Sequence, residues 1–237
     1  EFHLQNGRMG FYALNTHSLV DIENCLLCHD NLNAALRQLR PLSLKETEIE
    51  ITVNPEGPDV MVWTQRPRRG LEKHFSAVDW PGKYGARAQF VFDGIPIVNG
   101  TFSQSSLLLN RVLKRVVRER VGTPERLLDL YCGNGNFSLD MPESTRVVGL
   151  DHSGAAVDAA ARVRPDSYRV ADEETFAQTL AEPWDTIVLD PPRTGAKAIM
   201  ERLARADAQT IVYVSCDPAT LARDLKTLLA HGWNLRS

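Results

Sequence analysis

The sequence predicts an α/β protein: a mostly parallel sheet preceded by a smaller, strand-rich α+β domain. Three observations carry that expectation. From about residue 104 onward, short apolar stretches alternate with helical patterns, the rhythm of βαβ units joined by right-handed crossovers. One of those stretches runs straight into a Gly-rich segment, Asp129-Leu-Tyr-Cys-Gly-Asn-Gly-Asn136. Residues 1–100 instead carry short apolar strands cut by Asn54-Pro55, Gly57-Pro58 and Asp93-Gly94 turns.

In the N-terminal part, strands are expected at residues 10–14, 48–53, 60–64, 89–92 and 95–98, with a helix over 32–39 that stops before Pro41. Phe2, Leu4, Met9 and Phe11 read as the middle of a hairpin, so the chain is expected to begin inside a domain. A helix follows at 105–121, then strands at 126–131, 146–150, 167–170, 185–190 and 210–215. Helices are expected between them at 153–162 and 196–205, and directly after the Gly-rich turn. A last one runs from Pro218 to about Ala230, with Asp217 as its N-cap. The expected domains are 1–100 and 101–237.

Composition excludes several classes. The chain is 43% hydrophobic and 24% charged, ordinary for a globular protein. No apolar run approaches the roughly 20 residues of a membrane span, and the first residues lack the basic start and apolar core of a signal peptide. Cys25, Cys28, Cys132 and Cys216 suggest no disulfide framework, so a reducing cytoplasm is expected. Net charge is -3, from 15 basic against 13 acidic residues over 1–120 and 12 against 17 over 121–237. Two basic clusters stand out. Arg66, Arg68, Arg69, Lys73 and His74 fall in an expected loop beside Pro67 and Gly70. Arg111, Lys114, Arg115, Arg118 and Arg120 lie on a helix whose apolar face is Leu107, Leu108, Val112, Leu113, Val116 and Val117. That basic face is either solvated or phosphate-contacting.

The chemistry concentrates in a few segments. In Leu127-Leu-Asp-Leu-Tyr-Cys-Gly-Asn-Gly-Asn-Phe-Ser-Leu139 the glycines Gly133 and Gly135 let a ligand approach the backbone. Ser138 stands where the third Gly of a dinucleotide fingerprint would be, which disfavours a nicotinamide dehydrogenase. The next strand ends in Asp151, placed to accept both hydroxyls of a ribose. Strand, Gly loop, helix, strand and acid in this register form the pattern of S-adenosylmethionine enzymes. In Asp190-Pro-Pro-Arg-Thr-Gly195 two prolines make a rigid rim at a strand end. Amino-methyltransferases want an aromatic residue where Arg193 stands, so methylation of an exocyclic amine is disfavoured. Cys216, at a strand end and before a helix, suits a thiol nucleophile able to add to carbon 6 of a pyrimidine and so activate carbon 5. In Gly100-Thr-Phe-Ser-Gln-Ser-Ser106, Phe102 could stack on a flipped base and Gln104 could bond a base or cofactor. Cys25-Leu-Leu-Cys28-His29 has the letters of a haem attachment site and of half a zinc site. No second pair completes a metal site, and the segment is read as structural.

Together these segments resemble the RumA/TrmA-type RNA (uracil-5-)methyltransferases over most of the chain, from Gly10-Phe-Tyr and Asp21-Ile-Glu-Asn-Cys25 to Val214-Ser-Cys216-Asp-Pro. The resemblance implies a class I methyltransferase (Rossmann-like) fold behind a smaller central domain, with S-adenosyl-L-methionine as cofactor and tRNA or rRNA as partner. Gln104, Tyr131, Asn136, Asp151 and Asp190 match cofactor positions of the family, and Gly133, Gly135 and Asp172 are placed with them. Cys216 matches the nucleophile, and Phe102, Asp190 and Arg193 are placed at the substrate. The expected state is a monomer without metal or membrane contact. Three departures accompany the resemblance. The family's Pro-x-Thr-x-His-x-Glu segment, whose Glu takes the carbon 5 proton, does not occur in residues 1–237. Neither an N-terminal RNA-binding barrel nor an iron–sulfur cysteine set is visible, and Ser106 replaces the usual Asn. The competing reading is a non-catalytic module that binds S-adenosylmethionine or RNA.

Overall fold

A computed structural model describes residues 1–5, 7–42, 44 and 47–236, with only the backbone of residue 47. The chain divides into two compact units, residues 1–92 with 96–108, and residues 93–95 with 109–237.

The first unit is built on a six-stranded sheet. Its strands are β1 (Phe2–Gln5), β2 (Arg8–Tyr12), β3 (Leu19–Asp21), β4 (Thr47–Val53), β5 (Val60–Thr64) and β6 (Ala77–Asp79), in spatial order β3-β2-β1-β4-β5-β6. All pairs are antiparallel except β5 with β6. The expected hairpin is β1 with β2, in the register Leu4 opposite Met9. Helix α1 (Asp30–Leu39) lays Ala35, Leu36 and Leu39 on Phe2, Ile49, Val62 and Val78. Burying each such leucine contributes about 1.5–3 kcal/mol. Strands β7 (Gln89–Phe92) and β8 (Ile95–Val98) form a separate two-stranded sheet across the Asp93-Gly94 turn. The three-residue strands β3 and β6 are too short to leave a sequence pattern.

The second unit has a five-stranded sheet, all parallel, in the order β11-β10-β9-β12-β13. The strands are β9 (Arg126–Leu130), β10 (Arg146–Asp151), β11 (Tyr168–Val170), β12 (Trp184–Leu189) and β13 (Ala208–Tyr213). The helices are α2 (Leu107–Val121), α3 (Gly154–Val163), α4 (Glu173–Thr179), α5 (Met200–Leu203) and α6 (Pro218–Ala230). Leu128, Leu130, Ile187 and Leu189 alternate with Leu127 and Val188 between two buried layers, which explains why apolar residues dominate both strands. Strand β9 neighbours both β10 and β12, so the direction of winding reverses there. The crevice at the carboxyl end of β9 is where such sheets bind ligands.

Three expectations need correction. No helix follows the Gly-rich turn: residues 133–140 are consecutive turns. Gly133 and Gly135 have φ of 52° and 80°, outside the helical region, and Pro142 follows within two turns. The helix expected over 196–205 shrinks to α5, because Ile199 N–H bonds to Ala196 O in a tight turn before it. The apolar face of α2 is rotated from the expected one. Asn110, Lys114, Val117 and Val121 are buried, while Val112 and Val116 stay half exposed. Lys114 is therefore not part of a solvated or phosphate-contacting face: its Nζ bonds Asp93 O and Oδ2, both at 3.0 Å. Arg111 also pairs with Asp93, at 3.5 Å. Among the described residues, no helix is long and apolar enough to cross a membrane.

Candidate active site at the carboxyl edge of the parallel sheet

Five loops leave the carboxyl ends of the parallel strands, and seven predicted site residues besides two glycines fall on them. Tyr131, Gly133, Gly135 and Asn136 follow β9, Asp151 ends β10, Asp172 follows β11, Asp190 and Arg193 follow β12, and Cys216 follows β13. Phe102 and Gln104 belong to the first unit, where Phe102 is exposed and Gln104 half-buried.

The Gly loop is stitched to the end of β10. Gly133 N–H donates to Asp151 Oδ2 at 2.9 Å, Ser153 N–H to Asp151 Oδ1 at 2.7 Å, and Cys132 N–H to Leu150 O at 3.1 Å. A carboxylate has about four lone-pair sites, so Asp151 keeps capacity for further donors. A Cβ built on Gly133 would meet nothing within 4 Å, so open space lies over this loop. Tyr131 sits at φ 58°, in the left-handed region where a tyrosine costs about 1–3 kcal/mol. Packing holds it there: its ring meets Phe176 edge-on at 5.1 Å, and Phe176 stacks on His152 at 5.3 Å. Burial pushes the Tyr131 hydroxyl up to about 12.

Two predicted cofactor residues have their side chains engaged within the protein. Asn136 exchanges two hydrogen bonds with Asn110 of α2, at 2.7 and 3.1 Å. Asp172 caps α4, accepting Thr175 N–H at 2.9 Å and Thr175 Oγ1 at 2.7 Å. Those bonds from Thr175 hold its carboxyl below the usual range.

Beneath the Gly loop lies a buried polar chain that the sequence reading missed. Ser138 Oγ donates to Asp129 Oδ2 at 2.5 Å and lies 2.9 Å from the Tyr168 hydroxyl. Asp129 Oδ1 is buried and meets no hydrogen-bond partner among the described residues. Burial, opposed in part by the Ser138 bond, raises the Asp129 carboxyl to about 7. The Tyr168 ring reaches this chain because Gly149 of β10 has no side chain: a Cβ there would lie 2.2 Å from a ring carbon. Asp129 in an otherwise apolar strand was the available signal.

A second buried acid organises the other half of the edge. Asp224 of α6 is 1% exposed. Its Oδ2 accepts Ala196 N–H at 2.8 Å and the Tyr213 hydroxyl at 2.7 Å, and its Oδ1 accepts Arg223 Nε at 2.8 Å. Arg223 Nη2 also donates to Thr194 O at 2.8 Å. The 190–195 loop is thereby fixed to the helix that follows Cys216. An Asp between Leu221 and Leu225 on the inner face of α6 was the sequence signal. Cys216 itself is exposed. Around it, Ser215 Oγ bonds Asp217 N–H and O, at 3.2 and 3.1 Å, and Asp217 caps α6 through Thr220 N–H at 2.8 Å, as expected. The Asp217 carboxyl is held below its usual range by that Thr220 bond, with a smaller contribution from the charge of Arg193.

Residues 179–233 match the family model described as tRNA (Uracil-5-)-methyltransferase. The chain is similar to an uncharacterized RNA methyltransferase of Zymomonas mobilis subsp. mobilis, 31% identical, covering 96% of this chain and 65% of that protein. It is also similar to the 23S rRNA (uracil(1939)-C(5))-methyltransferase RlmD of Pectobacterium atrosepticum, 29% identical, covering 96% of this chain and 58% of that protein. The chain thus spans less than two thirds of the length of either relative. Among solved structures, the tRNA (uracil-54, C5)-methyltransferase of Pyrococcus abyssi in complex with S-adenosyl-L-homocysteine aligns with a TM-score of 0.71 at 22% identity, covering 96% of this chain and 68% of that one. That likeness establishes a shared fold.

Proposed function

We propose that this chain, which belongs to the family of RNA (uracil-5-)methyltransferases, carries the cofactor site and the nucleophile for methylation of carbon 5 of a uridine in tRNA or rRNA. The observation that carries the reading is the shared sheet edge. An exposed thiol, Cys216, and a Pro-Pro rim anchored by Asp224 follow β13 and β12, and a Gly loop tied to Asp151 follows the adjacent β9. Residues suited to S-adenosylmethionine are present: open space over Gly133, unused acceptor capacity on Asp151, and the Tyr131, Phe176 and His152 rings beside it.

In this reading Asp151 accepts ribose hydroxyls and the rings border the adenine. The rim at Asp190-Pro191-Pro192 confines the target base. Cys216 Sγ, as thiolate, adds to carbon 6 of the uracil, and the electrons of the 5,6 double bond move onto carbon 5 and the carbonyl. The bound cofactor supplies an electrophilic methyl group on a sulfonium, which carbon 5 takes. A base then removes the proton of carbon 5, and elimination returns the electrons to the ring and releases the Cys216 thiolate. Exposed cations of the first unit, Arg66 and Arg69, are suited to RNA phosphates. A cytoplasmic location accords with an RNA substrate.

RNA carrying 5-fluorouridine provides the test. Fluorine on carbon 5 cannot be removed as a proton, so the thioether adduct persists. The expected result is a protein–RNA adduct on a denaturing gel that requires S-adenosylmethionine and disappears in Cys216→Ala, while S-adenosylhomocysteine binding survives in that variant. Cofactor binding with no adduct on any cellular RNA fraction would instead support a non-catalytic binding module.

A further inference from the structure

The Gly-rich segment after β9 forms no helix of its own, and one face of α2 supports it instead. Asn110, Lys114 and Arg118 stand four residues apart, so they share that face. Each meets residues 133–141. Arg118 Nη1 donates to the Met141 sulfur, and Lys114 Nζ lies 3.9 Å from Asp140 Oδ2. These two ties hold the far end of the segment. Asn110, 8% exposed, holds the residue directly after Gly135. Its Nδ2 donates to Asn136 Oδ1 at 2.7 Å, and its Oδ1 accepts Asn136 Nδ2 at 3.1 Å, so the two amides close a ring.

A primary amide carries two N–H donors and two acceptor lone pairs, and the ring uses one of each on both residues. Asn136, which is half-buried, keeps one donor and one acceptor beyond the ring. Turning a single amide over would set oxygen against oxygen and nitrogen against nitrogen, so the two can turn only together. Either sense offers the same donor and acceptor. Such a pair complements a zwitterion: the N–H meets a carboxylate and the carbonyl meets an ammonium. The proposed cofactor has one zwitterionic group, its amino-acid end. Sheet order places that end. With ribose hydroxyls on Asp151 of β10 and adenine beside His152 and Phe176, towards β11, the remainder runs the other way, over β9 towards Cys216 after β13. Asn136 lies on the loop that follows β9.

We propose that Asn110 is a positioning residue for the cofactor: it holds the Asn136 amide so that the remaining N–H and carbonyl receive the carboxylate and ammonium of the amino-acid end of S-adenosylmethionine. The inference rests on the methyltransferase reading above and adds a residue to it. Asn110 touches no reacting atom and acts only through Asn136. A lone asparagine on a loop of turns would lose rotamer freedom when the cofactor arrives. The ring with Asn110 removes that freedom beforehand, so binding need not order the side chain. The bonds that Asn136 then makes go to charged groups, which strengthens them relative to bonds between neutral groups.

Two ligands separate this role from general support of the fold. S-adenosylhomocysteine carries the amino-acid end, and 5′-methylthioadenosine has the same adenosine and thioether without it. The first is titrated calorimetrically into the whole chain and into Asn110→Ala, Asn136→Ala and the double variant. The second is read by its displacement of the first, so that weak binding is also measured. Asn110→Asp, which keeps the shape and the acceptor but not the donor, serves if the alanine variant does not fold. Each single variant should weaken S-adenosylhomocysteine roughly 10-fold and leave 5′-methylthioadenosine within about 2-fold of wild type. The double variant should be no weaker than Asn136→Ala, because the two amides act as one unit. Equal loss of both ligands in the Asn110 variants would overturn the proposal in favour of a structural role. So would weakening in Asn136→Ala alone, or in neither variant. A wild-type chain that binds neither ligand would instead sink the methyltransferase reading, and this inference with it.

Discussion

The Tyr213 hydroxyl donates to Asp224 Oδ2 at 2.7 Å, joining the end of β13 to α6 on either side of Cys216. The same oxygen accepts Ala196 N–H at 2.8 Å, so one buried carboxylate fixes the strand, the helix and the loop of Asp190 together. The Tyr213 hydroxyl is raised first by burial and then by this bond.

Removing that carboxylate should therefore loosen three elements at once. Asp224→Ala leaves Tyr213 and Ala196 without their acceptor and should destabilise the protein by about 3 kcal/mol, read by chemical denaturation. In the milder Asp224→Asn, adduct formation with 5-fluorouridine RNA should slow by roughly 10-fold or more through misplacement of Cys216 and the rim. Its S-adenosylhomocysteine affinity should stay near wild type, since Asp151 is untouched. Equal losses in both readouts would argue for general unfolding instead.

Asp129 should give the protein a pH-dependent stability. Its folded-state value is raised from the ordinary 3.8 to about 7. A carboxyl raised on folding stabilises fully below the unfolded value, and that contribution is lost as pH rises through the folded one. The melting temperature of the wild type should thus fall between pH 4 and pH 7 relative to Asp129→Asn, with the difference levelling off above. Parallel profiles for the two proteins would show that the buried carboxyl is ionised throughout.

Asp151 is the test of the cofactor site. It accepts Gly133 N–H and Ser153 N–H, so its loss removes both ligand acceptors and the tie that shapes the Gly loop. Asp151→Ala should weaken S-adenosylhomocysteine binding by at least about 30-fold in calorimetric titration. An unchanged affinity would place the cofactor elsewhere.

Gly149→Ala tests the close approach of Tyr168. The added methyl would lie 2.2 Å from the Tyr168 ring, in a fully packed layer. The expected cost is about 1–3 kcal/mol of stability, with weaker cofactor binding as Tyr168 and Ser138 shift beneath the loop. Gly154→Ala is the control, because its nearest neighbour, Val170 Cγ2, is 3.8 Å away.

Local sequence determined what local physics controls. The largely apolar strands β9 and β12 announced a parallel sheet buried on both faces, and the cap at Asp217 with Pro218 fixed the start of α6 to the residue. Gly133, Asp151, Asp190 and Cys216 were legible as strand-end residues because a βα unit places such residues on one edge whatever the rest of the chain does. Tertiary structure decided which polar side chains turn inward. Asn136 pairs with Asn110, 26 residues away, and Lys114 turns from a basic stripe into a buried partner of Asp93. Ser138, read only as a missing glycine, joins Asp129 to Tyr168, and Asp224 gathers Tyr213, Ala196 and Arg223. A buried polar group must find its partner in space, and spacing along the chain says little about which distant group will be there.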